Sequence, residues 1–130
     1  MITSKLAAVA ALTLLAGAAK AACVYPTAPD KIPDGNTATR DEMIAAKTAV
    51  GKYNDEITAY QNCIKLETDA EIEKQSAGKN DEEKKALKAE SERKLAEKNN
   101  AALDEVTAVV ERFNEQLRVW KQKNPTPAKN

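Results

Sequence analysis

The chain has 130 residues, enough for one small domain, and its 20 Lys and Arg balance 20 Asp and Glu. It has no histidine, which removes Ser-His and Cys-His nucleophilic mechanisms and imidazole metal sites. Two cysteines without Cys-x-x-Cys spacing are too few for a structural zinc centre, and the scattered Gly17, Gly35, Gly51 and Gly78 make no phosphate-binding loop.

The first segment reads as a signal peptide spanning residues 1–21. Lys5 supplies a positive start, Leu6–Ala19 is an uncharged run rich in Ala and Leu, and Ala19-Lys20-Ala21 has the small-x-small pattern of a cleavage site. That run is shorter than the ~20 residues a membrane-spanning helix needs, so no span is expected after cleavage. An uncleaved anchor is the alternative. Cys23 as a lipidation site is another, disfavoured by Lys20 where such signals place Leu. Removing 1–21 leaves 18 basic against 20 acidic side chains, and such a balance argues against nucleic acid or an anionic membrane surface as partner.

Residues 22–124 are expected to form a single domain. Pro26, Pro29 and Pro33 exclude a helix early on and favour an extended, polyproline-like segment. Pro33-Asp34-Gly35 reads as a type I turn, with Pro second and Gly fourth. Thr39-Arg40-Asp41-Glu42 is a capping box that opens a first helix near residue 40. Its apolar seam is Met43, Ala46, Val50, Tyr53, Ile57, Tyr60 and Ile64, spaced alternately by three and four. Such a stripe is buried against another helix.

Beyond Ile64 the three-four spacing lands on Glu67 and Glu71, so the helix is expected to continue to about 74 with a polar face. Gly78 is the natural break and Asn80, with Glu83 three residues on, the next cap. A second helix is expected over 81–123, stopped before Pro125, with 125–130 as a disordered tail. Its seam is placed at Leu103, Val106, Val110, Phe113, Leu117 and Trp120; Asn99-Asn100 is a candidate kink or break.

A loop of a few residues around Lys79 makes the two helices antiparallel neighbours. The expected fold is therefore all-α: a two-helix hairpin with the Pro-rich segment packed along it. The acidic run Glu67, Asp69, Glu71 and Glu73 then lies opposite Lys84, Lys85, Lys88, Arg93 and Lys94, which predicts cross-helix attraction at the tip. Two cysteines in an exported chain read as one disulfide, Cys23–Cys63, with two free thiols as the alternative. At about 3.1 Å per residue the extended segment is long enough to run back along the first helix and reach Cys63.

Cys23, Pro26, Ile32-Pro33-Asp34-Gly35, Glu42-Met43, Tyr53, Tyr60 and Cys63 together resemble a family of short exported helical proteins of Gram-negative bacteria with no established activity. The resemblance covers about residues 23–63. It implies a periplasmic or secreted location and supports the Cys23–Cys63 bridge, but it supplies no catalytic or ligand-binding residue.

No catalytic, cofactor-binding or metal-binding residue is assigned. A Glu67/Glu71 cation site, a Tyr53/Tyr60 ligand box, Trp120 as a recognition aromatic and Cys63 as a redox thiol are each weighed. A solvated face, core packing of the aromatics and a structural disulfide are preferred. The expected role is non-catalytic, structural or protein-interacting, in the cell envelope, with a monomer favoured, weak oligomerisation left open and the protein partner unknown. A periplasmic chaperone-like or envelope-binding module is the alternative.

Overall fold

The structure, a computed structural model, describes residues 22–125. The expected signal peptide over 1–21 and the tail residues 126–130 lie outside the described residues. Two helices, α1 (Arg40–Ser76) and α2 (Asp81–Lys123), pack side by side as the expected hairpin, and there is no strand among the described residues.

Both helix starts are fixed by side chains. The Thr39 hydroxyl accepts from the Glu42 amide at 3.2 Å, and the Thr39 amide donates to Glu42 Oε2 at 2.7 Å. Asn80 and Glu83 repeat this reciprocal arrangement at the start of α2. The α1 end falls two residues later than expected, at Ser76. Gly78 then adopts φ +76°, a left-handed conformation that glycine enters without steric cost. Asn99-Asn100 introduces no break, and α2 runs unbroken to Lys123. Packing on both sides of this pair outweighs the modest helix propensity of Asn.

The core lies in the half of the hairpin away from its tip. Met43, Ala46, Val50, Tyr53, Ile57 and Ile64 of the α1 seam are buried, and Tyr60 is half-buried. On α2 the seam differs from the expected one. The buried residues are Ala102, Val106, Val109 and Phe113, with Val110, Leu117 and Trp120 only partly covered. Leu103, expected in the seam, is 54% exposed, while its neighbour Ala102 is fully buried. Val106 and Phe113 are buried as expected and Val110, Leu117 and Trp120 pack at the edge of the core, so the seam differs at Leu103, whose place is taken by Ala102, and in the addition of Val109, each one residue's rotation of about 100° away.

The tip departs from expectation in two ways. First, every ion pair among the described residues lies within one helix, between side chains three or four apart, as in Lys65–Asp69, Arg93–Glu97 and Lys94–Glu90. Neighbours on the same helix are closer than charges across the hairpin, so they capture each other first. Second, the row facing the partner helix is not Glu67 and Glu71. It moves to Thr68, Ile72 and Ser76 on α1 and to Leu87, Ser91, Leu95 and Asn99 on α2, all half-buried. Spacing by four carries each row about 40° around its helix per step. The rows stay in contact as the helices diverge from the three-four pattern, and no residue from 65 to 100 is fully buried.

Candidate functional site

The segment ahead of α1 is a strap laid along one side of the hairpin. Its far end is covalently fixed: Cys23 and Cys63 form the expected disulfide, with a Cα–Cα distance of 5.8 Å and 40 residues between them. Next to the bridge, the Tyr25 ring stands edge-on against Tyr60, centroids 4.9 Å apart. The Tyr25 hydroxyl crosses to α2 and donates to Glu105 Oε2 at 2.6 Å. Farther along, Ala28 and Ile32 pack on the hydrophobic core.

The near end of the strap is a turn, placed differently from expectation. The Thr37 and Ala38 amides both donate to the Asp34 carbonyl, at 3.1 and 2.8 Å, so the turn begins at Asp34 rather than at Ile32. Asp34 Oδ1 accepts from the Asn36 amide at 2.8 Å, and this bond holds the Asp34 carboxyl below its ordinary range. Asx-type capping of this kind competes well with a proline-led turn. Gly35 is thereby freed to donate its amide to Gln116 Oε1 at 2.8 Å. Trp120 completes the junction, as expected near the start of α1: its indole N–H donates to the Ala38 carbonyl at 3.0 Å.

The polar centre of the strap side is Tyr25, Tyr53 and Glu105. Burial first, and the Glu105 carboxylate second, push the Tyr25 phenol well above its ordinary value. The same two causes raise the Tyr53 phenol. The Tyr53 hydroxyl is buried without a hydrogen bond of good geometry. It lies close enough to Tyr25 and Glu105 to feel both. Two raised phenols beside one carboxylate are acids held neutral at physiological pH. The Tyr25–Glu105 hydrogen bond acts as a latch between strap and hairpin.

Two open grooves flank the strap. One, of about 640 Å³, runs beside the disulfide between Val24, Tyr25, Lys52, Glu56 and Tyr60. The other, of about 770 Å³, lies beside Ile32 and Pro33, with Ala45, Ala49 and Arg112 on its walls. Both are open to solvent, and the second also carries Asp30, Lys31, Asp34 and Glu42 on its walls, so neither has the enclosed apolar floor of a small-molecule site. Among the described residues no group of three or more Cys, Asp or Glu is placed to hold a metal ion. Glu67 and Glu71 are exposed, and Glu71 accepts from Gln75. Tyr53 and Tyr60 pack into the core, Trp120 is committed to Ala38, and Cys63 is in the disulfide. Sequence reasoning missed Glu105 and Gln116, the two α2 side chains that receive the strap. Nothing in their local sequence distinguishes them from the other acids and amides of α2.

No helix among the described residues is long and apolar enough to cross a membrane. No protein-family model, curated protein or solved structure matches the chain.

Proposed function

We propose that this chain is a non-catalytic exported protein with a structural or protein-interaction role in the cell envelope of a Gram-negative bacterium. The observation that carries the proposal is the strap fastened by Cys23–Cys63, a bond that persists in oxidising compartments and not in the cytosol. The resemblance of residues 23–63 to exported helical proteins and the leader-like pattern of 1–21 support the same compartment. The side chains most able to do chemistry are tied up in the fold: Cys63 in the bridge, Tyr25 and Glu105 in the latch. In-cell cross-linking from the envelope fraction tests the role. The reading requires specific protein adducts on the folded chain; turnover in a broad hydrolase and redox panel, or a co-purified cofactor, would overturn it.

A second reading, a chaperone-like or envelope-binding arm, draws on the charged tip beyond Ile64, where Leu66 is 70% exposed. Suppressed aggregation of an unfolded client, lost in Leu66→Glu, would favour it over the first.

A further inference from the structure

The strap covers one side of the hairpin and leaves the other open. On that open side Ile44, 52% exposed, and Leu117 border a shallow groove of about 170 Å³ lined also by Phe113 and Trp120, with Arg40 and Lys47 at its edge. Leu117 belongs to a row spaced by seven, Leu103, Val110 and Leu117, which shares one face of α2. Leu103 is 54% exposed, and the other two are half-covered by the core beneath them. These three residues of the expected seam form an apolar stripe that the chain itself covers only in part.

Three further features mark this face. The chain is 31% charged, yet the open row of α1 between Lys47 and Lys65 is Gly51, Asn54, Thr58 and Gln61, without a charge. On α2 the row beside the stripe is Asn100, Thr107 and Asn114, also uncharged. Loss of charge from an outward helix face is what an interface core shows. Gly51 is the second feature. A glycine inside a helix costs roughly 0.5–1 kcal/mol against alanine, and a Cβ there would meet nothing within 4 Å. The hairpin alone has no use for it, whereas a second helix approaching closely does.

The third feature selects the occupant. Leu-Val-Leu at equal spacing is a palindrome, so an antiparallel copy of α2 centred on Val110 sets Leu103 against Leu117 and Val110 against Val110. Gln61 donates to the Asn99 carbonyl at 3.4 Å, which fixes the register of the hairpin and puts Gly51 at the level of Val110. The same two-fold axis therefore sets Gly51 against Gly51 on α1. It also brings Lys47 toward Asp55 of the second copy, two side chains without an ion-pair partner among the described residues.

We infer that the open face is a self-association surface on which two hairpins pack as an antiparallel four-helix bundle about an axis through Val110 and Gly51. The inference deepens the proposed interaction role by taking a second copy as the partner. From Ile44 to Gln61 the face is about 26 Å long, and two helices make it about 20 Å wide. That is on the order of 500 Å² per copy, at the low end for a specific contact, so the dimer is concentration-dependent.

Sedimentation velocity on the purified protein, from low micromolar to submillimolar, is expected to show the mass doubling. Leu103→Glu places a charge on the stripe and should weaken the dimer at least about tenfold without lowering the melting temperature of the dilute protein. Gly51→Leu should weaken it similarly while raising that melting temperature, since the side chain enters open space in the monomer. A mass that stays monomeric throughout overturns the inference and leaves the envelope-interaction reading to its own cross-linking test. A dimer that survives both substitutions overturns it as well.

Discussion

Gly35 sits so close to α2 that a Cβ on it would overlap the Gln116 carbonyl oxygen and come within 2.9 Å of the Trp120 amide nitrogen and the Val119 Cβ. The close approach lets its amide reach Gln116 Oε1 at 2.8 Å. Gly35 does not have a left-handed φ, so what it supplies is space rather than conformational freedom. Gly35→Ala must push the strap off α2 or bend the helix. Overpacking of this kind typically costs about 1–3 kcal/mol, and here it also breaks a hydrogen bond worth about 1 kcal/mol. Urea unfolding should show a loss above about 2 kcal/mol for Gly35→Ala and a smaller one for Gln116→Ala. Equal losses would mean that the hydrogen bond, and not the space, is what the glycine provides.

What could be read from the sequence was local, and what could not depended on rotation and on distance along the chain. The Thr39–Glu42 and Asn80–Glu83 caps announce themselves within four residues, and the left-handed Gly78 marks the break between them. The Cys23–Cys63 bridge follows from there being only two cysteines. The seam on α2 is different, because that helix has two apolar rows. One faces α1 through Ala102, Val106, Val109 and Phe113, and the other flanks it through Val110 and Leu117, half-buried at the edge of the core, and the exposed Leu103. A small buried alanine gives a weak signal beside a large exposed leucine, so a hydrophobicity template takes Leu103 in place of Ala102 while still finding Val106 and Phe113. The receptors of the strap, Glu105 and Gln116, are 80 and 81 residues from their partners, beyond the reach of any local pattern.

The disulfide closes a loop of 40 residues, and in the chain-entropy model a loop of that size is worth on the order of 4 kcal/mol. Cys63→Ser should therefore lower the melting temperature by on the order of ten degrees or more. The effect should be confined to stability and to the strap. The Gly35–Gln116 and Trp120–Ala38 contacts hold the near end of the strap independently, so hydrogen exchange should rise around Tyr25 and stay protected around Ala38. An unchanged melting curve would rule out a stapling role for the bridge.

The latch predicts an alkaline transition. A phenol is neutral when protonated, and burial together with Glu105 raises the Tyr25 value in the folded protein above the ~10 of an unfolded chain. The folded state therefore holds that proton more tightly. Its contribution to stability is complete below pH ~10 and is lost as pH climbs toward the folded value. Tyr53 shifts in the same direction for the same leading reason. Phenolate absorbance should show Tyr25 and Tyr53 ionising late, and together with unfolding. Tyr25→Phe should leave a shallower loss of stability above pH ~10 than the unaltered chain; an identical slope would mean that the Tyr25–Glu105 bond is not formed in solution.

The phase of α2 can be decided by two truncations on the same helix. Phe113 is 6% exposed and packs in the cluster with Met43, Val50 and Tyr53, so Phe113→Ala removes a large buried ring and leaves a cavity. Such changes cost about 3–5 kcal/mol. Leu103 is 54% exposed, and in the dilute monomer Leu103→Ala gives up little packing while alanine gains slightly in helix propensity. Its cost should be less than about 1 kcal/mol, within the range of ordinary surface substitutions. Chemical denaturation of both variants at low micromolar concentration, where the monomer dominates, separates the rows cleanly. If Leu103→Ala cost as much as Phe113→Ala under those conditions, Leu103 would lie in the buried seam where spacing alone puts it, and the placement of Ala102 in the core in its stead would be wrong.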